Sequence, residues 1–367
     1  MQDVEYMALA ISLAERGRGW TSPNPVVGAV LVKEGRIIGQ GWHKRRGGLH
    51  AEREALANCQ ESPDRATLYV TLEPCCHYGR QPPCTDAILE AGISRIVVGS
   101  VDPNPLVAGK GIDLLRTHGV TVETGVLRAE CDRLNRAFFH YITTKRPYVT
   151  MKYAMTLDGK ISTCTGASQW ITGEAARERV HWDRHVNAAI LVGVGTVLAD
   201  DPLLTCRMDG GKNPLRVVCD TRLRPPLDSK LLRTAHEVPT ILATGPVTPE
   251  KAAPYEAAGC QVWPLPLREG HVDLAALMDQ LGTAEIDSLL LEGGGTLNWS
   301  MLEAGLVQRI QAYIAPKLFG GEGAKSPVGG AGVALPDRAF RLEDTTVTRI
   351  GEDFLIEGDV QYVHRDR

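Results

Sequence analysis

Two short segments concentrate side chains that bind metals and move protons: "HAE", His50–Glu52, and "EPCCHYGRQPPC", Glu73–Cys84. His50, Cys75 and Cys84 offer one imidazole and two thiols, a set that suits zinc better than magnesium or calcium, which prefer oxygen. Three protein ligands leave the fourth position of a tetrahedral zinc to water, which then ionises near neutral pH and becomes a nucleophile. Glu52 is a fourth polar group, two residues from the histidine. A closed zinc knot with Cys76 or His77 as fourth ligand, and a cysteine-rich patch with no metal, stay open on the residues alone.

The elements that position these groups follow from spacing. Residues two apart on a regular helix point about 200° apart. His50 and Glu52 can therefore address one site only if His50 lies in an irregular helix entry, which the glycines of "GGLHAE" allow. The helix is expected over 50–58, with Cys59 at its end. Cys75, after Pro74, is expected to open a helical turn whose positive end favours thiolate. Before it come an amphipathic helix with Val4, Met7, Ala8, Ile11 and Ala14 on one face, and a hairpin of runs 26–32 and 36–41 about a Lys-Glu-Gly turn. After it, strands at 66–72, 95–100 and 119–125 alternate with helices at 85–91, from 109, and at 130–143. That alternation predicts a mostly parallel sheet covered on both faces.

The pattern restarts after "TTKRPYV", giving two domains, 1–145 and 146–367. The second has a strand in "YVTMKYAMTLDGKIS", a helix at 174–184, and buried strand runs "AAILVG", "RVVCD", "TILAT" and "SLLLEG". Its tail reads as strands only, antiparallel. "GVGT" (Gly193–Thr196) and "LEGGGTLNWS" (Leu291–Ser300) set glycines between strand and helix, where bare amides can cradle phosphate. Neither is G-x-G-x-x-G, so a Rossmann domain is not indicated.

Composition narrows the classes. The chain has 367 residues, 43% hydrophobic and 23% charged, in the ordinary globular range. A net charge of −4 with 5% aromatic residues argues against wrapping nucleic acid. The amino terminus carries acids where a signal peptide needs positive charge, and no apolar run approaches the ~18 residues of a membrane span. Nine cysteines, an odd number, without an export signal indicate a reducing cytoplasm and no disulfide framework.

"HAE" with "EPC…PPC" resembles the zinc-dependent nucleobase deaminases, whose H-x-E and P-C-x-x-C elements hold zinc and a proton-shuttling glutamate. Here the second cysteine follows the first by nine positions rather than three. With that spacing, "TSPNPVVGAV", "DPNP", "VAGKGI", "MKYAMTLDGKIS", "SQWIT" and "VLADDPLLTCR" make nearly the whole chain similar to the bifunctional riboflavin-biosynthesis deaminase–reductases.

The resemblance implies an α/β protein: a cytidine-deaminase-like three-layer domain, then a dihydrofolate-reductase-like domain. It makes His50, Cys75 and Cys84 the ligands of one zinc per chain, Glu52 catalytic, and Cys76 a non-ligand neighbour. The implied substrate is a 2,5-diamino-6-ribosylamino-pyrimidinone 5′-phosphate, a small pyrimidine ribosyl phosphate, with Asn24, His43, His77 and Arg80 in contact positions; some relatives carry lysine in place of Arg80. The second domain would use NADPH to reduce the opened ribosylamino group to ribitylamine. Cofactor contacts fall on Ala154 (through backbone), Trp170, Thr196, Asp200, Thr221, and the loop Gly294, Gly295, Thr296, Leu297, Asn298, Trp299 and Ser300. Substrate contacts fall on Lys152, Ser168, Arg184, Leu204, Arg207 and Glu292, with Arg184 and Arg207 suited to clamp phosphate. A cytoplasmic homo-oligomer with no nucleic-acid or membrane partner is expected. The competing readings are a stand-alone cytidine- or tRNA-acting deaminase with an unrelated tail, and a zinc-stabilised binding module without turnover.

Overall fold

A computed structural model describes residues 2–362. The chain divides into two compact units, which meet at Lys145 and Arg146 in the sequence. In the first, helix α1 (Asp3–Glu15) precedes a hairpin of β1 (Gly28–Lys33) and β2 (Arg36–Trp42), followed by α2 (Ala51–Ala57). Then come β3 (Thr67–Leu72), α3 (Cys84–Glu90), β4 (Arg95–Ser100), α4 (Lys110–Thr117) and β5 (Thr121–Thr124). The unit closes with α5 (Arg128–Leu134) and α6 (Arg136–Thr144).

The sheet order is β2-β1-β3-β4-β5. Strand alternation sends Ala29, Leu31, Leu68, Val70, Ile96 and Val98 to one face, under Ala51 and Ala55 of α2, Ile88 of α3 and Leu115 of α4. Val30, Val32, Tyr69 and Val97 point to the other, under Met7, Ala10 and Leu13 of α1 and Cys131 of α5. The result is a three-layer sandwich.

Three expectations need correction here. β1 is antiparallel to both β2 and β3, and only β3, β4 and β5 run parallel. A tight hairpin reverses the chain, so the helices that follow cannot restore a parallel neighbour for β1. The buried stripe of α1 is Tyr6, Met7, Ala10, Leu13 and Ala14 rather than the one through Val4 and Ala8, which are exposed. Tyr6 turns the helix inward because its ring is apolar while its hydroxyl still reaches the Gly35 carbonyl at 2.9 Å. The single helix expected over 130–143 is broken at Asn135. The Asn135 side chain accepts from the Val26 amide and donates to the Val26 carbonyl, both at 2.9 Å, competing with helical pairing.

The second unit holds β6 (Tyr148–Thr156), α7 (Glu174–Val186), β7 (Ala189–Gly193), α8 (Val194–Asp200), β8 (Leu215–Cys219), α9 (Lys230–Arg233) and β9 (Thr240–Thr244). It continues with α10 (Pro249–Ala257), β10 (Gln261–Pro264), a two-stranded ribbon of β11 (Leu267–Arg268) and β12 (His271–Val272), α11 (Leu274–Thr283) and β13 (Ser288–Leu291). Last come α12 (Gly295–Glu303), β14 (Arg309–Ala315), β15 (Arg341–Ile350) and β16 (Asp353–Gln361). The sheet order is β10-β9-β8-β7-β13-β6-β14-β16-β15. Only the pairs with β16 are antiparallel. The tail is therefore not wholly antiparallel: β14 runs parallel to β6, because α12 carries the chain back across the sheet before β14 begins.

Leu277, Met278, Met301 and Leu302 of α11 and α12 cover one face. Val194 and Val197 of α8, Leu231 and Leu232 of α9, and Tyr255 of α10 cover the other. Helices α9 to α11 were not read from the sequence, although Asp273 caps α11 by accepting from the Ala275 and Ala276 amides. In both units the parallel strands end at the same sheet edge, where ligands of open α/β sheets bind.

Close packing in the first unit gives a test. A Cβ on Gly28 would lie 1.9 Å from the Ala10 carbonyl oxygen, backbone against backbone. Gly28→Ala is expected to destabilise the chain by at least about 2 kcal/mol, read as a lower urea midpoint.

Candidate functional site

His50 caps α2 in an extended conformation, φ −71° and ψ 160°, while Glu52 lies in the first turn. This is the irregular entry that the H-x-E spacing requires. His50 Nδ1 is 3.4 Å from Cys75 Sγ and 3.3 Å from Cys84 Sγ, and the three ligand atoms all lie within 4.8 Å of one another. A tetrahedral zinc places its nitrogen and sulfur ligands roughly 3.6 Å apart, so the residues fit the metal. Among the described residues this is the one such group found. Cys76 and His77 stand outside it, and Cys76 Sγ faces the Leu106 carbonyl instead, at 4.0 Å. The geometry therefore favours an open three-ligand site over a closed knot.

The helical turn expected at Cys75 is absent; it is Cys84 that opens α3. Residues 73–76 form neither helix nor strand, and the Cys84 amide donates to Cys75 Sγ at 3.4 Å. Cys75 thus gains an amide from a helix start without belonging to the helix. A hydrogen bond from the Cys84 thiol, and another with His50, bring Cys75 down to about 4. The shared proton pushes Cys84 up, with burial adding to it. His50 is raised by its bond to Cys75. Glu52 is 3% exposed, and burial raises its carboxyl against the opposing pull of His50.

A second histidine packs beside the ligands. His43 lies edge-on to His50, ring centres 5.4 Å apart. Its Nδ1 is 2.9 Å from the Leu49 carbonyl, which can only accept, so Nδ1 carries the proton. Nε2 then accepts from Asn24 Nδ2 at 3.3 Å. Burial lowers the pKa of His43 and keeps it neutral. The structure thus brings Asn24 and His43 together beside the triad. His77 has a buried Nδ1 without a hydrogen-bond partner. Arg80 is exposed, next to Gln81, whose side-chain amide donates to the Gly47 carbonyl at 3.2 Å.

Three residues of this site escaped the sequence reading. Arg53 pins the "QPPC" segment through the Pro82 and Pro83 carbonyls at 3.3 and 2.7 Å. Glu73 is buried against the loop after β4. Asp102 in that loop is pushed up to about 6 by burial, with the charges of Glu73 and Cys75 adding. Only their place inside "HAER", "EPC" and "DPNP" signalled them, and nothing local distinguishes a buried carboxylate from an exposed one.

In the second unit, Glu292 follows β13 and gathers two cations. Arg184 of α7 donates to it from Nε at 2.8 Å and from Nη2 at 2.9 Å. Lys152 Nζ of β6 is 3.9 Å away and sits over the Tyr313 ring, 5.6 Å from its centre. Burial alone would raise Glu292; Arg184 and Lys152 outweigh it and hold the carboxyl at about 2. Burial lowers Lys152. Arg184 also donates to the Thr205 carbonyl at 3.1 Å, and the Arg207 amide donates to His181 Nδ1 at 3.3 Å, so α7 seats the loop that carries exposed Arg207. Leu204 is buried in the core, its side chain packed with those of β7 and β8.

Ser168 donates to Asp200 at 2.8 Å. The two glycine turns lie side by side: a Cβ on Gly294 would be 3.9 Å from Thr196 Oγ1, and one on Gly193 would be 3.7 Å from Leu297. Asn298 and Trp299 point inward, Asn298 donating to the Pro327 carbonyl at 2.8 Å and Trp299 to Glu303 at 3.0 Å. Ser300 bonds back to the Thr296 carbonyl at 3.1 Å. Thr221 follows β8 at the same strand-end edge and accepts from the Val272 amide at 3.3 Å. Trp170 is exposed, stacked by Arg177 at 4.9 Å, and no bond joins it or Thr221 to the glycine turns. Ala154 pairs with Tyr313 across β6 and β14.

Residues 1–100 match the family described as the cytidine and deoxycytidylate deaminase zinc-binding region, and residues 147–356 match the RibD C-terminal domain. The riboflavin biosynthesis protein RibD of Actinobacillus pleuropneumoniae is 54% identical over 97% of this chain and 95% of its own length. The chain belongs to the RibD family. Its Aquifex aeolicus relative, also a riboflavin biosynthesis protein RibD, is 46% identical over 96% of this chain and 97% of its own. A structure of Acinetobacter baumannii RibD superposes with a TM-score of 0.88 at 36% identity, covering 98% of this chain and 99% of that one. The Thermotoga maritima diaminohydroxyphosphoribosylaminopyrimidine deaminase/5-amino-6-(5-phosphoribosylamino)uracil reductase does so with 0.85 at 37% identity and the same coverage. The fold is accordingly a cytidine-deaminase-like domain followed by a dihydrofolate-reductase-like one, and the chain is a bifunctional deaminase and reductase of riboflavin biosynthesis. Residues 147–356 match that family's C-terminal, reductase domain, which removes the reading of an unrelated tail.

The Glu292 cluster yields a pH prediction. A carboxylate held below its ordinary 4.5 adds stability that is complete above that value and lost as pH falls towards 2. Glu292→Gln leaves Arg184 and Lys152 buried without a counter-charge and is expected to cost on the order of 3 kcal/mol at neutral pH. The gap to the wild type should close between about pH 5 and 2 in denaturant titrations. A gap that stays constant with pH would mean that the pair's charge is not what the cluster needs.

Proposed function

We propose that residues 1–145 deaminate 2,5-diamino-6-ribosylamino-4(3H)-pyrimidinone 5′-phosphate by zinc-dependent hydrolysis, giving 5-amino-6-(5-phosphoribosylamino)uracil. Residues 146–367 then reduce its ribosyl group to ribityl with NADPH. The observation that carries the first half is the triangle of His50, Cys75 and Cys84 with buried Glu52 beside it. Bound zinc supplies a Lewis acid that makes water nucleophilic at neutral pH. Glu52 takes the proton released by that water and hands it to the departing amine, a role suited to a carboxyl whose pKa burial has raised. His43 holds the Asn24 amide in one rotamer, so that its oxygen meets a donor on the pyrimidine ring. His77 offers an unsatisfied nitrogen to the same substrate, and Arg80 a guanidinium to its phosphate.

In the reductase half, the turns at Gly193–Thr196 and Gly294–Thr296 face the cofactor with bare amides, and Thr221 and Trp170 complete its binding. Lys152, steadied by Glu292 and the Tyr313 ring, meets the ribosyl group beside Asp200 and Ser168. Arg207 and the remaining donor capacity of Arg184 hold the 5′-phosphate. We place the enzyme in the cytoplasm, where thiol ligands stay reduced; no described helix is long and apolar enough to cross a membrane. It acts as a homo-oligomer, for which the exposed outer strand β15, with Val347 64% exposed, offers a pairing edge.

Two outcomes test the assignment. Glu52→Ala is expected to abolish ammonia release, by at least ~10³-fold, while NADPH oxidation with the already deaminated substrate continues. Loss of both activities in a folded chain would falsify the two-site reading. Metal analysis should find one zinc per chain, and chelation should stop deamination but spare reduction.

A further inference from the structure

Glu73 is 4% exposed and makes no ion pair among the described residues, yet it accepts four backbone hydrogen bonds. Oε2 accepts from the amides of Asp102 at 3.2 Å and Gly109 at 3.0 Å. Oε1 accepts from those of Gly111 at 3.0 Å and Ile112 at 3.2 Å. Gly109 occupies the N-cap of α4 with φ +87° and has no side chain to offer. The second and third amides of a helix are those that an N-cap side chain ordinarily satisfies. Glu73 does this from a distant strand end and adds a negative charge at the positive end of the helix.

The same contact sets a distance. A Cβ on Gly111 would lie 2.3 Å from the Pro74 carbonyl and 3.3 Å from Glu73 Oε1, so the start of α4 is pressed onto the segment leading into Cys75. The loop between β4 and α4 is held over that segment from both of its ends, at Asp102 and at Gly109. Within it, Asp102 accepts from the Asn104 amide at 2.8 Å, and the Leu106 carbonyl faces Cys76.

We infer that Glu73 is a positioning residue for deamination, holding the loop 102–109 as a wall of the substrate pocket beside the ligand cysteines. This rests on the deaminase reading of the His50, Cys75 and Cys84 site. A carboxylate is required because both oxygens must accept twice. An amide has one accepting oxygen, and its NH₂ group would oppose two amide donors. An aspartate keeps the charge but is one methylene short.

The test uses the full-length holoenzyme and the variants Glu73→Gln and Glu73→Asp. It measures ammonia release against diaminopyrimidine phosphate concentration, metal content, the absorption of the cobalt-substituted protein, and amide exchange. For Glu73→Gln, the deaminase KM is expected to rise at least tenfold, with about one metal per chain, an unchanged cobalt spectrum and faster exchange at residues 109–112. Glu73→Asp should fall between it and the wild type, and the reductase KM should not move. Faster exchange with KM within twofold of wild type overturns the inference, leaving a helix cap only. Loss of metal together with kcat also overturns it, making Glu73 part of the metal scaffold. If Glu73→Gln does not fold, Glu73→Asp decides by the same comparison. Absence of ammonia release by the wild type overturns the deaminase reading itself, whereas an unchanged KM overturns this inference alone.

Discussion

Two thiols and an imidazole drawn from two chain segments must meet within 4.8 Å of one another, and most of the first unit serves that demand. His50 stands at the entry of α2 and Cys84 at the entry of α3, while Cys75 lies in the irregular segment that follows β3. Helix entries are places where side chains and amides face outward without helical partners. Both helices rest on one face of one sheet, Ala51 and Ala55 beside Ile88 over Leu68 and Val70. The separation of the ligands is therefore set by close packing of small and branched residues beneath them. Gly41 shows how tight this is, since a Cβ there would lie 2.4 Å from the Ala55 amide nitrogen. The metal site inherits its precision from a core that cannot shift without clashes.

The second unit meets a different constraint, that of keeping charge in a dry site. Lys152, Arg184 and Glu292 are all largely buried, with two cations sharing one carboxylate. Burying two cations on one carboxylate costs desolvation, which the paired hydrogen bonds to Glu292 offset. Arg216 solves the same problem without any carboxylate. It is fully buried, and its guanidinium donates to Thr240, Thr234 and the carbonyls of Leu203, Leu231 and Val238. Burial lowers its pKa to about 10, so it stays charged near neutrality. Its bond to Leu203 ties the loop carrying Leu204 and Arg207 to the sheet. A buried charge with every donor used makes a rigid anchor.

Much of this was legible in one dimension. The hairpin, the entry of α2 at His50 and the strand-to-helix glycine turns follow from short-range rules, because turn residues and apolar alternation act over a few positions. Residue type supplied the ligand candidates, since only a few side chains bind zinc, and the family resemblance chose His50, Cys75 and Cys84 among them. What misled was anything decided by a partner far along the chain. The stripe of α1 rotated to bury Tyr6, the helix after Arg128 broke where Asn135 found Val26, and β14 ran parallel to β6. Helix α9 spans only four residues and α10 carries two prolines, so neither shows a helical period, whereas the apolar period of α11 behind its Asp273 cap was there to be read.

The sequence by itself determined which chemistry was available: two thiols and an imidazole for a metal, a glutamate two residues on, glycine turns for phosphate, and cations for an anionic ligand. Those are properties of side chains and of local backbone freedom. Only the tertiary structure decided the protonation and the aim of these groups. Burial raises Glu52 and Asp102, paired cations lower Glu292, and a carbonyl and an amide fix the tautomer of His43. Tertiary packing also singled out Glu73, whose four amide partners lie 29 to 39 residues away. Solvation and long-range pairing depend on what the fold places around a group, and neighbours in sequence carry no record of that.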